Sequence, residues 1–174
     1  MKTQATESLP NNLGSVTELL NYFVSVRAKT LDLCSPLETE DFGVQPMADA
    51  SPPKWHLAHT TWFFEAFLLK VYKENFQPFH ETFGYLFNSY YIRVGHPFPR
   101  SDRGNLSRPT VKEVMQYRTE TESKVIDLIT DLERFDQKSQ QEILSVLRVG
   151  IEHEQQHQEL LVTDLKYNFG NNPL

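Results

Sequence analysis

The chain of 174 residues has a single cysteine, Cys34. An internal disulfide is therefore excluded, and a reducing compartment is the expectation. Cys34 itself reads as a small apolar residue of a helix rather than a catalytic thiol. There is no excess of basic charge: 17 Lys and Arg stand against 23 Asp and Glu, for a net charge of −6. That balance disfavours a nucleic-acid partner, which needs a basic surface to displace counterions. No uninterrupted apolar run approaches the roughly twenty residues of a membrane-spanning helix. The polar opening MKTQATESLPNN lacks the apolar core of a secretory signal, so no membrane partner and a cytoplasmic location are expected. The seven glycines form no phosphate-cradling loop, and there are no internal repeats or low-complexity tracts. What remains is a hydrophobic fraction of 39% with twelve Phe and seven Tyr, enough for one globular domain with a sizeable core.

Four long segments carry helical periodicity. The first runs from about Ser15 to Leu33, with Asn12 or Ser15 as its cap and Ser35-Pro36 as its stop. In the second, SPPKWHLAHTTWFFEAFLLKVYKENF, Ser51 suits the N-cap and Pro52 the first helical position. The third opens with a capping box of Thr110 and Glu113, and the fourth spans roughly Lys138 to Tyr167. Between the second and third lie some thirty-five residues rich in aromatics, which argues against a disordered linker. A short helix is expected there near Gly84 to Arg93, followed by an irregular segment. The fold class is all-α, a four-helix bundle with a long crossover between helices 2 and 3.

In the fourth segment the letters HEQQH, His153 to His157, match H-E-x-x-H, with Glu154 as candidate general base of a zinc peptidase. Spacing by three and four places Val146, Gly150, His153, His157, Leu160, Leu161 and Asp164 on one stripe. Gly150 would leave room beside an interior site. One inward histidine is usually a satisfied core residue; two at i, i+4 are better read as adjacent metal ligands. The peptidase reading is weak, because no histidine follows His157 and Glu159 is the only later glutamate. A third ligand must come from upstream, and WHLAHTTWFFE offers His56 and His59. His59 shares the more apolar stripe with Trp55, Trp62, Phe63 and Ala66, but either could face inward. Three imidazoles with open positions suit zinc hydrolysis or non-haem iron chemistry, and spacing does not separate them. Glu65, Asp164 and Glu159 are candidate carboxylates for fixing imidazole tautomers, with Glu159 off the His153/His157 face. His80 and His96, in the crossover, read as surface or loop residues.

The segments DASPPKWHLAHTTWFFEAFLL, GYLFNSYY, LSRPTV and GIEHEQQHQELLVTDLKYNFG resemble the N-terminal, DinB-like domain of the sulfoxide synthases of ergothioneine biosynthesis, the hercynine oxygenases. The likeness runs from about Ser15 to the last residue. It implies a DinB-like bundle that binds one Fe(II) through His59, His153 and His157, with Glu159 completing the motif without being a ligand. Zinc or nickel are alternative ions in the isolated protein. The implied reaction joins the thiol of cysteine or γ-glutamylcysteine to C2 of the hercynine imidazole with O2, and Arg100 and Arg103 are candidate forks for substrate carboxylates. The implied layout is a tail over 1–14, the bundle over 15–169, and at 170–174 the start of a linker to a formylglycine-generating-enzyme-like domain. On that expectation the non-haem iron oxidoreductase activity belongs to the parent enzyme, and this chain alone turns over poorly or not at all. The alternatives are a stand-alone DinB-like metal-dependent thiol transferase and a non-catalytic bundle that pairs as a homodimer.

Overall fold

A computed structural model of the protein describes residues 15–89 and 95–173. Three of its four long helices start where side chains satisfy the free N–H groups of a first turn. Ser15 opens α1 (Val16–Cys34) with a capping box, its Oγ accepting from the Glu18 N–H at 3.2 Å while its own N–H donates to Glu18 at 3.0 Å. Thr110 and Glu113 open α5 (Val111–Thr130) in the same way. Asp136 accepts from Lys138 and Ser139 at the start of α6 (Gln137–Gly170). Helix α2 (Pro53–Phe64) runs on through a π-helical turn (Glu65–Leu69) into the short α3 (Lys70–Tyr72). A 3-10 turn (Thr39–Gly43) joins α1 to α2, and the crossover from α3 to α5 holds α4 (Phe83–Leu86) and a 3-10 turn (Arg100–Asn105). There is no strand among the described residues. The expected all-α bundle with its long second connection is what the chain forms.

Two local expectations are corrected. Pro52, not Ser51, is the N-cap of α2, and Pro53 is its first helical residue; Ser51 is drawn off to bond Asp164 and Arg103 instead. The crossover helix stops at Leu86, because the chain must turn there to bring the Leu86 and Phe87 carbonyls onto α2. Residues 90–93 of the helix expected there, the 1–14 tail with its candidate cap Asn12, and the final residue of the expected linker lie outside the described residues.

All twelve residues of α2 are buried. The helix runs between α5 and α6, with α1 packed on α6. Two apolar clusters fill the bundle. One is built on Leu19, Phe23, Phe64, Leu68 and Leu147, the other on Trp55, Leu57, Trp62, Phe87 and Leu161. Where they meet sits a buried ionic network. Glu154 of α6 is fully buried and takes Arg27 of α1 at 3.0 Å, Arg118 of α5 at 2.8 Å and the Thr30 hydroxyl at 2.8 Å. Arg118 also donates to the Leu57 carbonyl and Thr60 hydroxyl of α2, and Arg27 to the Thr61 hydroxyl. The half-buried Glu122 takes the Arg27 Nε at 3.3 Å and completes a set of two positive and two negative groups.

Gly150 leaves no open room. A Cβ there would lie 2.3 Å from the Phe64 ring, which is itself fully buried. The missing side chain is what lets α2 and α6 approach.

Gly150→Ala should therefore lower stability by about 1–3 kcal/mol through overpacking, although alanine is the better helix former. A raised denaturant midpoint would contradict the close approach. Glu154→Ala leaves two buried guanidinium groups with only the half-buried Glu122 as counter-charge and should cost about 3–5 kcal/mol, read from the same unfolding curves.

Candidate metal centre

One turn of α6 separates His153 from His157, and α2 crosses that face with His59. The ligand atoms of these three side chains all lie within 4.8 Å of one another. The Nε2 atoms of His59 and His153 are 3.2 Å apart. Two imidazole nitrogens bound to one ion at about 2.1 Å, at angles between octahedral and tetrahedral, lie roughly 3.0–3.4 Å apart, so the spacing fits a shared ligand position. His59 directs its other nitrogen, Nδ1, at the Phe87 carbonyl at 2.5 Å. That acceptor fixes the proton on Nδ1 and leaves Nε2 with a free lone pair. Trp55 stacks on the His59 ring at 4.5 Å, and Trp62 lies at 5.7 Å.

The rings are held neutral. Burial, reinforced by His153, puts His59 well below the usual histidine range. Burial lowers His153 to about 4, against an opposing pull from Glu154. His157 is lowered further, by burial first and then by His59, His56 and His153. Three neutral imidazoles are the protonation state a divalent ion requires. The set suits zinc, iron, nickel or copper.

Behind this group stands His56, whose ring joins two partners. Its Nδ1 is 3.0 Å from Nδ1 of His157, and its Nε2 is 2.9 Å from Asp164. Asp164 thus reaches the three-histidine group through an intervening imidazole, and the Ser51 N–H holds the same carboxylate oxygen at 2.8 Å. Glu159 does not join it. Two residues past His157 is about 200° around the helix, and Glu159 is exposed. Glu65 is buried, but it takes the Phe79 N–H rather than a histidine. Arg103 is buried, donates to the Ser51 and Ser89 hydroxyls, and lays its guanidinium 3.3 Å over the Trp55 ring. Arg100 is exposed and donates to the Asp49 carbonyl. His80 and His96 are exposed. Burial pushes the Cys34 thiol up to about 11, with Arg118 opposing, which leaves it inert as a nucleophile.

The geometry removes the peptidase base. Burial alone would raise the Glu154 carboxyl, but Arg118, Arg27 and the Thr30 hydroxyl bring it down to about 2. A carboxylate so held points away from the histidines and does not accept a proton near neutrality. Arg27 and Arg118 had a sequence signal: each interrupts an apolar stripe at helical spacing, between Phe23 and Thr30 and between Val114 and Thr121. The Phe87 carbonyl had none, since a backbone acceptor carries no residue signature.

Comparison with known protein families matches residues 22–161 to the DinB superfamily. No curated protein sequence matches the chain.

The neutral cluster sets a pH dependence. His153 titrates near 4 when folded, against 6.5 unfolded, so between those values the unfolded chain binds more protons. Its contribution to stability is complete above about pH 6.5 and is lost as pH falls toward 4. The melting temperature of chelator-treated protein should drop between pH 7 and pH 5. A flat or rising melting temperature over that interval would contradict neutral, buried rings.

Proposed function

The chain belongs to the DinB superfamily, and from that premise we propose that it is the Fe(II)-binding bundle of a sulfoxide synthase of the hercynine oxygenase type. In this reading His59, His153 and His157 hold the ion. The observation that carries it is the meeting of three neutral imidazoles, two buried and one half-buried, beneath the crossover. The likeness of the segments around His59 and His153–His157 to that family supports the choice of ion and substrates.

The iron, when bound, would supply open positions where a thiol and dioxygen meet. The chain's own residues supply the rest. Trp55, Trp62 and Phe63 line the rings and exclude bulk water. Arg103, separated from His59 only by the Trp55 indole, places a positive charge that favours an anionic sulfur over a neutral thiol. Arg100, exposed at the first residue of the same 3-10 turn and donating to the Asp49 carbonyl, is the guanidinium this reading assigns to a substrate carboxylate. Hercynine and a cysteine-type thiol are the substrates in this reading.

A second reading, a stand-alone metal-dependent thiol transferase, is equally compatible with the superfamily match. The two differ in their use of oxygen.

Anaerobic reconstitution should load one Fe(II) per chain, and His153→Ala should abolish loading with the helical circular dichroism unchanged. Cysteine should add a thiolate-to-metal absorption band to the cobalt-substituted protein, and hercynine, a co-substrate only in the oxygenase reading, should shift that band. A thiolate band that hercynine leaves unchanged selects the transferase. Absence of stoichiometric metal binding sinks both.

A further inference from the structure

Two Nδ1 atoms, on His56 and His157, face each other at 3.0 Å. They share one hydrogen, so one must donate and the other accept. The far side of His56 decides which. Its Nε2 lies 2.9 Å from Asp164, and an ionised carboxylate only accepts. The Nε2 of His56 therefore carries the proton, and in a neutral ring its Nδ1 is left as the acceptor. Nδ1 of His157 must then donate. That leaves the lone pair of His157 on Nε2.

The Asp164 oxygen that receives His56 also takes the Ser51 N–H at 2.8 Å. Two donors on one oxygen pin the carboxylate against rotation, at the start of α2 where the backbone is itself buried. The three imidazoles of the centre thus differ in what stands behind them. His59 is held by a backbone carbonyl. His157 is held by an imidazole backed by a charge. Nδ1 of His153 is buried and has no hydrogen-bond partner.

We infer that His56, backed by Asp164, is a positioning residue that locks His157 as its Nδ1–H tautomer and so readies Nε2 as a metal ligand before any ion arrives. The three rings are thus unequally held: His157 is fixed by His56 and Asp164, and His153, with no hydrogen-bond partner at Nδ1 among the described residues, is the least constrained. The inference rests on metal binding at His59, His153 and His157 and is independent of which substrates the protein uses.

Nitrogen-15 correlation spectra of the metal-free wild-type chain at neutral pH read the tautomers directly. His157 should carry its proton on Nδ1 and His56 on Nε2; a proton on Nε2 of His157, or on both nitrogens of His56, overturns the inference. Cobalt titration then measures the consequence. His56→Leu should weaken binding by roughly 10–100-fold, the usual effect of losing such a partner. His56→Gln, whose amide can accept from His157 and donate to Asp164, should recover most of that loss. A His56→Leu protein that binds cobalt like wild type, or a His56→Gln protein no better than His56→Leu, overturns it too. Wild-type protein that takes up no cobalt is a different failure, that of the metal site itself. Should His56→Leu not fold, the wild-type spectra still decide.

Discussion

Glu154 is held between Arg27 and Arg118 with almost no access to water, and the placement of all four long helices turns on that contact. Such a network is poor evidence of net stability, because desolvating the charges costs about what their attraction returns. Its effect is on register. One arginine comes from α1 and the other from α5, and both reach across to hydroxyls or carbonyls of α2. Sliding α6 by one turn, about 5.4 Å, would strand a carboxylate in one apolar cluster and two guanidinium groups in the other. Only one alignment satisfies every group, and His153 is the residue immediately before Glu154. The contact that aligns the bundle therefore also aligns the histidines of α6 with His59.

The imidazoles stay neutral despite that network, since Glu154 pulls His153 toward protonation. Arg103 works against protonation of His59 and of His157. Burial is the larger cause for all three rings. An all-imidazole set contributes no negative charge of its own, and Asp164 lies behind an intervening ring. A centre built this way leaves an anionic partner to be supplied from outside, which is why a thiolate suits it better than a neutral ligand.

The legibility of these features in the sequence followed how each residue is used. α1, α5 and α6 have one apolar stripe each; their periodicity was readable from the letters alone, as were the caps Ser15 and Thr110, while Asp136 at the start of α6 was not. α2 was readable as a helix but not as to its faces. It is buried all round, so the apolar stripe through Trp55, His59 and Trp62 carried no information about which histidine points where. His56 and His59 both face inward, in different roles. Gly150 was visible as a spatial requirement, but its occupant, Phe64, lies on a helix some eighty residues away in the chain. Ser51 read as a cap because its type fits one; its use by Asp164 and Arg103 depends on partners 113 and 52 positions distant. Long-range polar pairing was the part that local pattern could not supply.

Exposure differs across the three histidines. His59 is 2% exposed and His157 9%; the first is roofed by Trp55 and the Phe87 carbonyl, the second backed by His56. His153 alone is in the intermediate class, and the exposed Val149 and Leu160 lie on its side of α6 at helical spacing. Among the described residues, then, the centre communicates with solvent along the edge of its least supported ligand. The proton-fixing contacts of His59 and His157 stay sealed away from that edge. The rigid and the yielding sides of the site are thus separated in space. The network at Glu154, directly behind His153, keeps the helix itself from giving way when that edge is approached.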